Sequence, residues 1–191
     1  MGKLRLRSSQ LALHTRCRTD IPNRMTRGAP IDGAYKLERD HSAAYPKARP
    51  RNVGPCETYN CHGLTFAARR TMIASADVPM ILEEDDYFEI QKKDVLAGDV
   101  AVYYSTGLRG AAREDAEHSG IVIGRCALGE IVIISKWGPG DERIHPIGES
   151  PYDSGDVRYY RIHDNPRAKP GKPVSRSQRL LRGQQPPLLI A

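Results

Sequence analysis

Apolar positions recur with two different spacings along the chain, and the change of spacing marks the change of structure. Leu64, Ala67, Ala68 and Met72 fall on one face of a helix. Val53-Gly54-Pro55 upstream reads as a turn, so the spacing predicts a helix that starts near Asn60 or Cys61 and runs to about Ala74. Asp77-Val78-Pro79 is expected to break it. Later segments read as strands. They are β-branched and aromatic at 100–104, apolar at 118–124 and 131–138, and alternating basic and apolar at 158–162, where an edge strand is expected. Leu96-Ala97-Gly98-Asp99 and Ala127-Leu128-Gly129-Glu130 are turns, and 105–117 is a polar loop. Strands in close succession with short links imply an antiparallel meander. The fold class is therefore α+β, with one helix packed on an antiparallel sheet of about four to six strands.

The remaining sequence divides the chain into parts. Residues 1–52 are rich in Arg, Pro and Ser without sustained periodicity, and read as a basic, loosely structured N-terminal arm. Residues 53–163 hold the predicted helix and strands. Residues 164–191 combine Pro with Lys, Arg, Ser and Gln and read as a disordered basic tail. The chain has 191 residues and a formal charge of +6. The excess lies at the ends: Lys3, Arg5, Arg7, Arg16, Arg18, Arg24 and Arg27 stand against Asp20 alone, and no acid follows Arg167. Such ends suit contact with anionic polymers. They carry no interleaved aromatics and no nucleic-acid motif, so no specific nucleic acid is expected as a partner. No apolar stretch reaches membrane-spanning length. The N-terminus lacks the apolar core of a signal peptide, so the expected location is the cytoplasm as synthesised, with release by a secretion system or lysis.

Composition and spacing then point to candidate chemistry. Of four cysteines, Cys61 falls at a helix start, where unpaired N–H groups and the helix dipole favour a thiolate. A thiolate nucleophile needs a base, and the base needs a group that holds its ring. His118 stands where the polar loop becomes a strand, and is the candidate base. The next strand offers Ser135 and Lys136 as orienters; Ser135 can accept a proton from the ring, whereas a lysine cation cannot. His145 is an alternative third member or a substrate contact. Trp137, beside Gly138-Pro139-Gly140, either lines a groove with Tyr59 or caps the core. Tyr59 can supply a hydroxyl near an oxyanion, and Asn60 and His62 flank the nucleophile. Cys56, Cys61, His62, His118 and Cys126 match no tight zinc spacing, so neither a metal nor another cofactor is expected.

These segments resemble a known family. Asn60-Cys61-His62-Gly63-Leu64 is similar to the Asp-Cys-Ser-Gly-Phe segment of NlpC-type papain-like cysteine peptidases, which cut peptide bonds in bacterial cell walls. Gly98-Asp99-Val100-Ala101-Val102-Tyr103 resembles their Gly-Asp-Leu strand, and His118-Ser119-Gly120-Ile121 their His-Val-Gly-Ile strand, in the family's order. The CHAP amidases are a related match. Asn60 stands where the family has an acid, His62 where it has a serine, and 131–138 lacks the histidine that many relatives carry there. The resemblance implies a papain-like core, Cys61 as nucleophile, His118 as base and a polar orienter near Ser135 or Lys136. It also implies a cysteine peptidase or amidase acting on peptide or peptidoglycan fragments. A binding module that has kept the fold without the chemistry, or a thiol acyltransferase, is compatible with the same residues.

Overall fold

The computed structural model describes residues 8–26, 33–105, 115–152 and 154–162. In chain order the elements are β1 (Ser8–Ser9), β2 (Asn23–Thr26), α1 (Ala34–Ala44), β3 (Arg49–Pro50), α2 (Cys61–Ala67), β4 (Met72–Ile73), α3 (Val78–Glu84), β5 (Phe88–Ile90), β6 (Val100–Tyr104), β7 (Ala116–Arg125), β8 (Ile131–Lys136), β9 (Glu142–Pro146) and β10 (Val157–Arg161). The architecture is α+β. The main sheet has seven strands in the order β3-β9-β8-β7-β6-β10-β5, all antiparallel. A small sheet joins β1, β2 and β4. The expected tail beyond 163 and most of the expected 105–117 loop lie outside the described residues.

The four predicted strands are β6, β7, β8 and β10. The sheet is larger than the expected four to six strands because β3, β5 and β9 join it. Strand β9 reads Glu-Arg-Ile-His-Pro, and its buried residues include Glu142, Arg143 and His145. Its inward positions are polar and paired, so no apolar alternation announces it. Helix α2 is shorter than expected. It ends at Ala67, and Ala68 and Arg69 both take the left-handed backbone at φ 49° and 67°. Pro79 starts a helix instead of breaking one: it sits in the first turn of α3, where its missing N–H costs nothing. The N-terminal region, expected to be loose, contains α1. That helix docks through Glu38, which accepts from Arg143, and through His41 and Tyr45, whose rings meet Trp137 edge-on at 5.2 and 5.4 Å.

Register assigns side chains to the two faces of the sheet, since residues paired across a ladder share a face. Val102 pairs with Ser119, and Val100 with Ile121. Their face carries the core with α2 and α3, where Val78 and Leu82 pack on Val100, Val102 and Tyr104, and Leu64 packs with Ile134. On the opposite face Tyr103 pairs with His118, and Gly120 with both Ala101 and Ser135. That face buries Val95, Tyr103, Val122, Ile133 and Tyr159 under Ile147 and Tyr152. Trp137, His145 and Arg143 continue it toward α1.

Two glycines are required by close approach. A Cβ on Gly63 would sit 1.7 Å from the Thr71 carbonyl oxygen, so α2 packs on the chain leading to β4 only without a side chain there. A Cβ on Gly120 would meet Ile133 and the Ile134 carbonyl, both at 2.8 Å. Gly63→Ala is expected to lose about 3 kcal/mol in urea denaturation, the upper range for forced overpacking. A loss below about 0.5 kcal/mol, typical of a neutral surface change, would show that this contact does not set the position of α2.

Candidate active site

Cys61 is the first residue of α2, as the sequence implies. Asn60 caps the helix. Its side-chain oxygen accepts from the N–H groups of Gly63 (2.9 Å) and Ile73 (3.1 Å), and its amide donates to the Ile73 carbonyl at 2.7 Å. This third bond requires an amide; a carboxylate cannot donate it. Asn60 therefore fixes the helix start to the chain at Ile73. The next residue performs a related task toward the sheet. Fully buried His62 has Nε2 3.1 Å from the Ala116 carbonyl, which can only accept, so Nε2 carries the proton. Its Nδ1 lies 2.9 Å from Ser119 Oγ. His62 thus bolts α2 to β7 beside His118.

The Cys61 side is crowded and dry. The residue is 8% exposed, and burial pushes its thiol up to about 11. The backbone N–H groups of Ser119, His62 and Cys61, and the charge of Lys136, act in the opposite direction. The contact with Ser119 has a structural cause. The β7–β8 ladder stops at the Gly120–Ser135 pair, so beyond it the two strands are no longer bonded. Cys61 meets the backbone of β7 at this opening.

His118 is the third residue of β7 and 0% exposed. It alternates with Ser119, so its ring leaves the sheet on the face away from α2. There it stacks on Tyr152, with centroids 3.6 Å apart and planes inclined by 8°. Tyr103 meets it edge-on at 5.3 Å. Among the described residues neither ring nitrogen has a hydrogen-bond partner, so no hydrogen bond joins the ring to Cys61. Burial, with His145 and His62 nearby, holds its pKa well below the ordinary imidazole value. Burial also raises the Tyr152 phenol, and Cys61 adds to that effect, so the tyrosine neighbours both candidate residues.

The other candidates are placed differently from the expectation. Ser135 does not orient His118. Its Oγ lies 2.8 Å from His145 Nε2 and accepts from Trp137 Nε1 at 3.0 Å. His145 Nδ1 lies 2.8 Å from the Pro146 carbonyl, so Nδ1 is protonated and Ser135 donates to Nε2. His145 is thereby a buried structural residue and not a loop contact. Trp137 is fully buried against His41, Tyr45 and Arg143 and caps the core; it lines no groove. The Tyr59 hydroxyl donates to Glu142 at 2.7 Å. Lys136 donates to the Gly138 and Gly140 carbonyls and lies 5.6 Å from the Tyr59 ring centroid. These contacts tie the Gly-Pro-Gly turn to the sheet. Tyr152 was not legible as a site residue; the only signal was an aromatic inside the polar Ser150-Pro151-Tyr152 segment.

No disulfide joins the four cysteines. Among the described residues no cluster of His, Cys, Asp or Glu could hold a metal ion, and no helix is long and apolar enough to cross a membrane. A cavity of about 330 Å³ between Glu89, Lys92, Ile147, Arg158 and Tyr159 includes none of the candidate residues. No protein-family model, no curated protein and no solved structure matches the chain.

Two outcomes are expected. Asn60→Asp places a carboxylate oxygen against the Ile73 carbonyl and should lose about 1–3 kcal/mol at pH 7, the cost of a mispaired buried polar group. Thermal denaturation checks it, and an aspartate variant as stable as the parent would exclude the amide bond as the reason for Asn60. The second outcome concerns acid. His62 and His145 are each lowered to about 4, chiefly by burial. Between pH 6.5 and 4 the unfolded chain binds more protons than the folded one, so stability falls as pH falls through that window. At pH 5 each histidine should cost about 2 kcal/mol relative to pH 7. Urea denaturation at the two pH values measures the sum, and equal stabilities would refute the burial of neutral imidazoles.

Proposed function

We propose that this chain is a papain-like cysteine hydrolase acting on peptide or amide bonds. Cys61 is the nucleophile and His118 the base. The supporting observation is the position of Cys61: first residue of a capped helix, with its sulfur against the backbone of Ser119, the neighbour of His118. The ordered resemblance to NlpC-type and CHAP sequences supports the same two residues and suggests peptidoglycan-type peptides as substrate.

In the reaction the Cys61 proton passes to His118, and sulfur attacks the carbonyl carbon. The backbone N–H groups of Cys61, His62 and Ser119, which act to lower the thiol, would receive the developing oxyanion. Collapse breaks the carbon–nitrogen bond, and His118 returns its proton to the leaving amine. Water then cleaves the thioester, giving the acid and restoring the thiol. With both His118 nitrogens unpartnered, the first proton transfer needs a turn of the ring or a bridging water.

The high thiol pKa and the absent orienter favour a second reading, a binding module without turnover. Incubation with purified muropeptides separates the two. A hydrolase yields shortened peptides by mass spectrometry, and Cys61→Ala or His118→Ala should lower the rate by about 10²-fold or more, the usual contribution of a nucleophile or base. Retained binding without product, or activity unchanged in both variants, would end the hydrolase reading for this substrate class.

A further inference from the structure

We propose that Tyr152 is a gate: its ring, lying flat on His118, closes the Cys61–His118 site, and substrate reaches the site only when Tyr152 swings away. The inference rests on the assignment of those two residues to one site.

The geometry carries it. His118 is wholly buried, yet both its nitrogens lack partners, a costly state that water or substrate would relieve. One face of the imidazole is covered by Tyr152, with rings 3.6 Å apart and nearly parallel. Tyr103, the other ring neighbour, belongs to β6 and is held by a 2.8 Å bond from its hydroxyl to the Ile147 carbonyl. Tyr152 belongs to no strand or helix, and its phenol meets the backbone of Gly138, which is itself in a turn. It follows Gly148-Glu149-Ser150-Pro151 on the connection between β9 and β10. The Ser150 hydroxyl contacts to the Tyr152 backbone are long, at 3.4 Å each. Glu149 pairs with largely exposed Lys47 at 3.3 Å. A side chain carried on a connection between strands opens more readily than one carried on a strand. The phenol also neighbours Cys61, so one movement uncovers nucleophile and base together.

The test reads accessibility in the full chain. Diethyl pyrocarbonate modification of His118 and iodoacetamide alkylation of Cys61 are timed at pH 7 and mapped by mass spectrometry. Tyr152→Ala should raise both rates about tenfold or more, as expected for loss of a local closing contact, while Tyr152→Phe keeps the stack and the parental rates. If the alanine variant does not fold, Tyr152→Leu, which fills the space without stacking, should show a smaller rise of both. Rates within twofold of the parent in a folded alanine or leucine variant would overturn the gate. So would parental His118 modification as fast as that of half-exposed His14. The two assignments fail separately. Opening without any effect of His118→Ala on Cys61 alkylation in the Tyr152→Ala background leaves the gate and removes the base. Muropeptide turnover lost in Cys61→Ala, with accessibility unchanged in Tyr152→Ala, does the reverse.

Discussion

A buried polar seam between α2 and β7 decides where the sulfur of Cys61 lies. Asn60 fastens the helix start to Ile73, and His62 fastens its first turn to Ala116 and Ser119. Thr65 closes the seam, donating to the Cys61 carbonyl while lying 3.0 Å from Ser119 Oγ. A helix of seven residues cannot stand alone. Apolar contact from Leu64 holds it against the sheet, but apolar contact alone tolerates sliding and rotation. Hydrogen bonds do not: each orphaned buried group would cost about 1–3 kcal/mol. The seam therefore fixes both the height and the rotation of the helix, and so brings a sulfur to the point where β7 and β8 separate.

The same burial that fixes the sulfur keeps it neutral. With the thiol near 11, forming the thiolate at pH 7 costs about 5 kcal/mol, at about 1.4 kcal/mol per pKa unit. The histidine side adds to this cost, because burial also disfavours the imidazolium. Three N–H groups and the Lys136 charge offset part of it but do not reverse it. The closed arrangement is thus a neutral resting pair. Hydration of the two groups is the change that would lower the cost most, since desolvation is its largest cause.

Legibility followed the chemistry of each segment. Strands β6, β7 and β8 are rich in β-branched residues, and their places were readable. Strand β9 was not, because Glu142 is buried by pairing with Arg51, Arg69 and Tyr59, and Arg143 by pairing with Glu38. Charges buried as pairs look like a surface loop in sequence. Helix α1 was hidden for a related reason: Glu38 meets Arg143 on β9, and His41 and Tyr45 meet Trp137 just beyond β8, all far along the chain. At the site, the helix-start position of Cys61 could be inferred from the turn before it. The partners of Tyr59, Ser135, Trp137 and His145 could not, since each is chosen by a residue on another strand or at its end.

Asn60 and His62, where the chain differs from the NlpC-type segment that it resembles, both serve the seam. An amide at residue 60 supplies the donor that Ile73 requires, and an imidazole at 62 spans from α2 to both Ala116 and Ser119, which a serine is too short to do. Both side chains act on placement of the helix. The third position is a different matter. Ser135 is committed to His145 and Trp137, so no hydrogen bond from it restrains the His118 ring. Ring contacts with Tyr103 and Tyr152 are what remain. An imidazole held by stacking keeps its plane but has no bond that selects its tautomer, so whichever group first reaches a ring nitrogen sets it. Loss of one of the two ring contacts would both expose the histidine and let it turn, which makes solvation and orientation of the imidazole a single event.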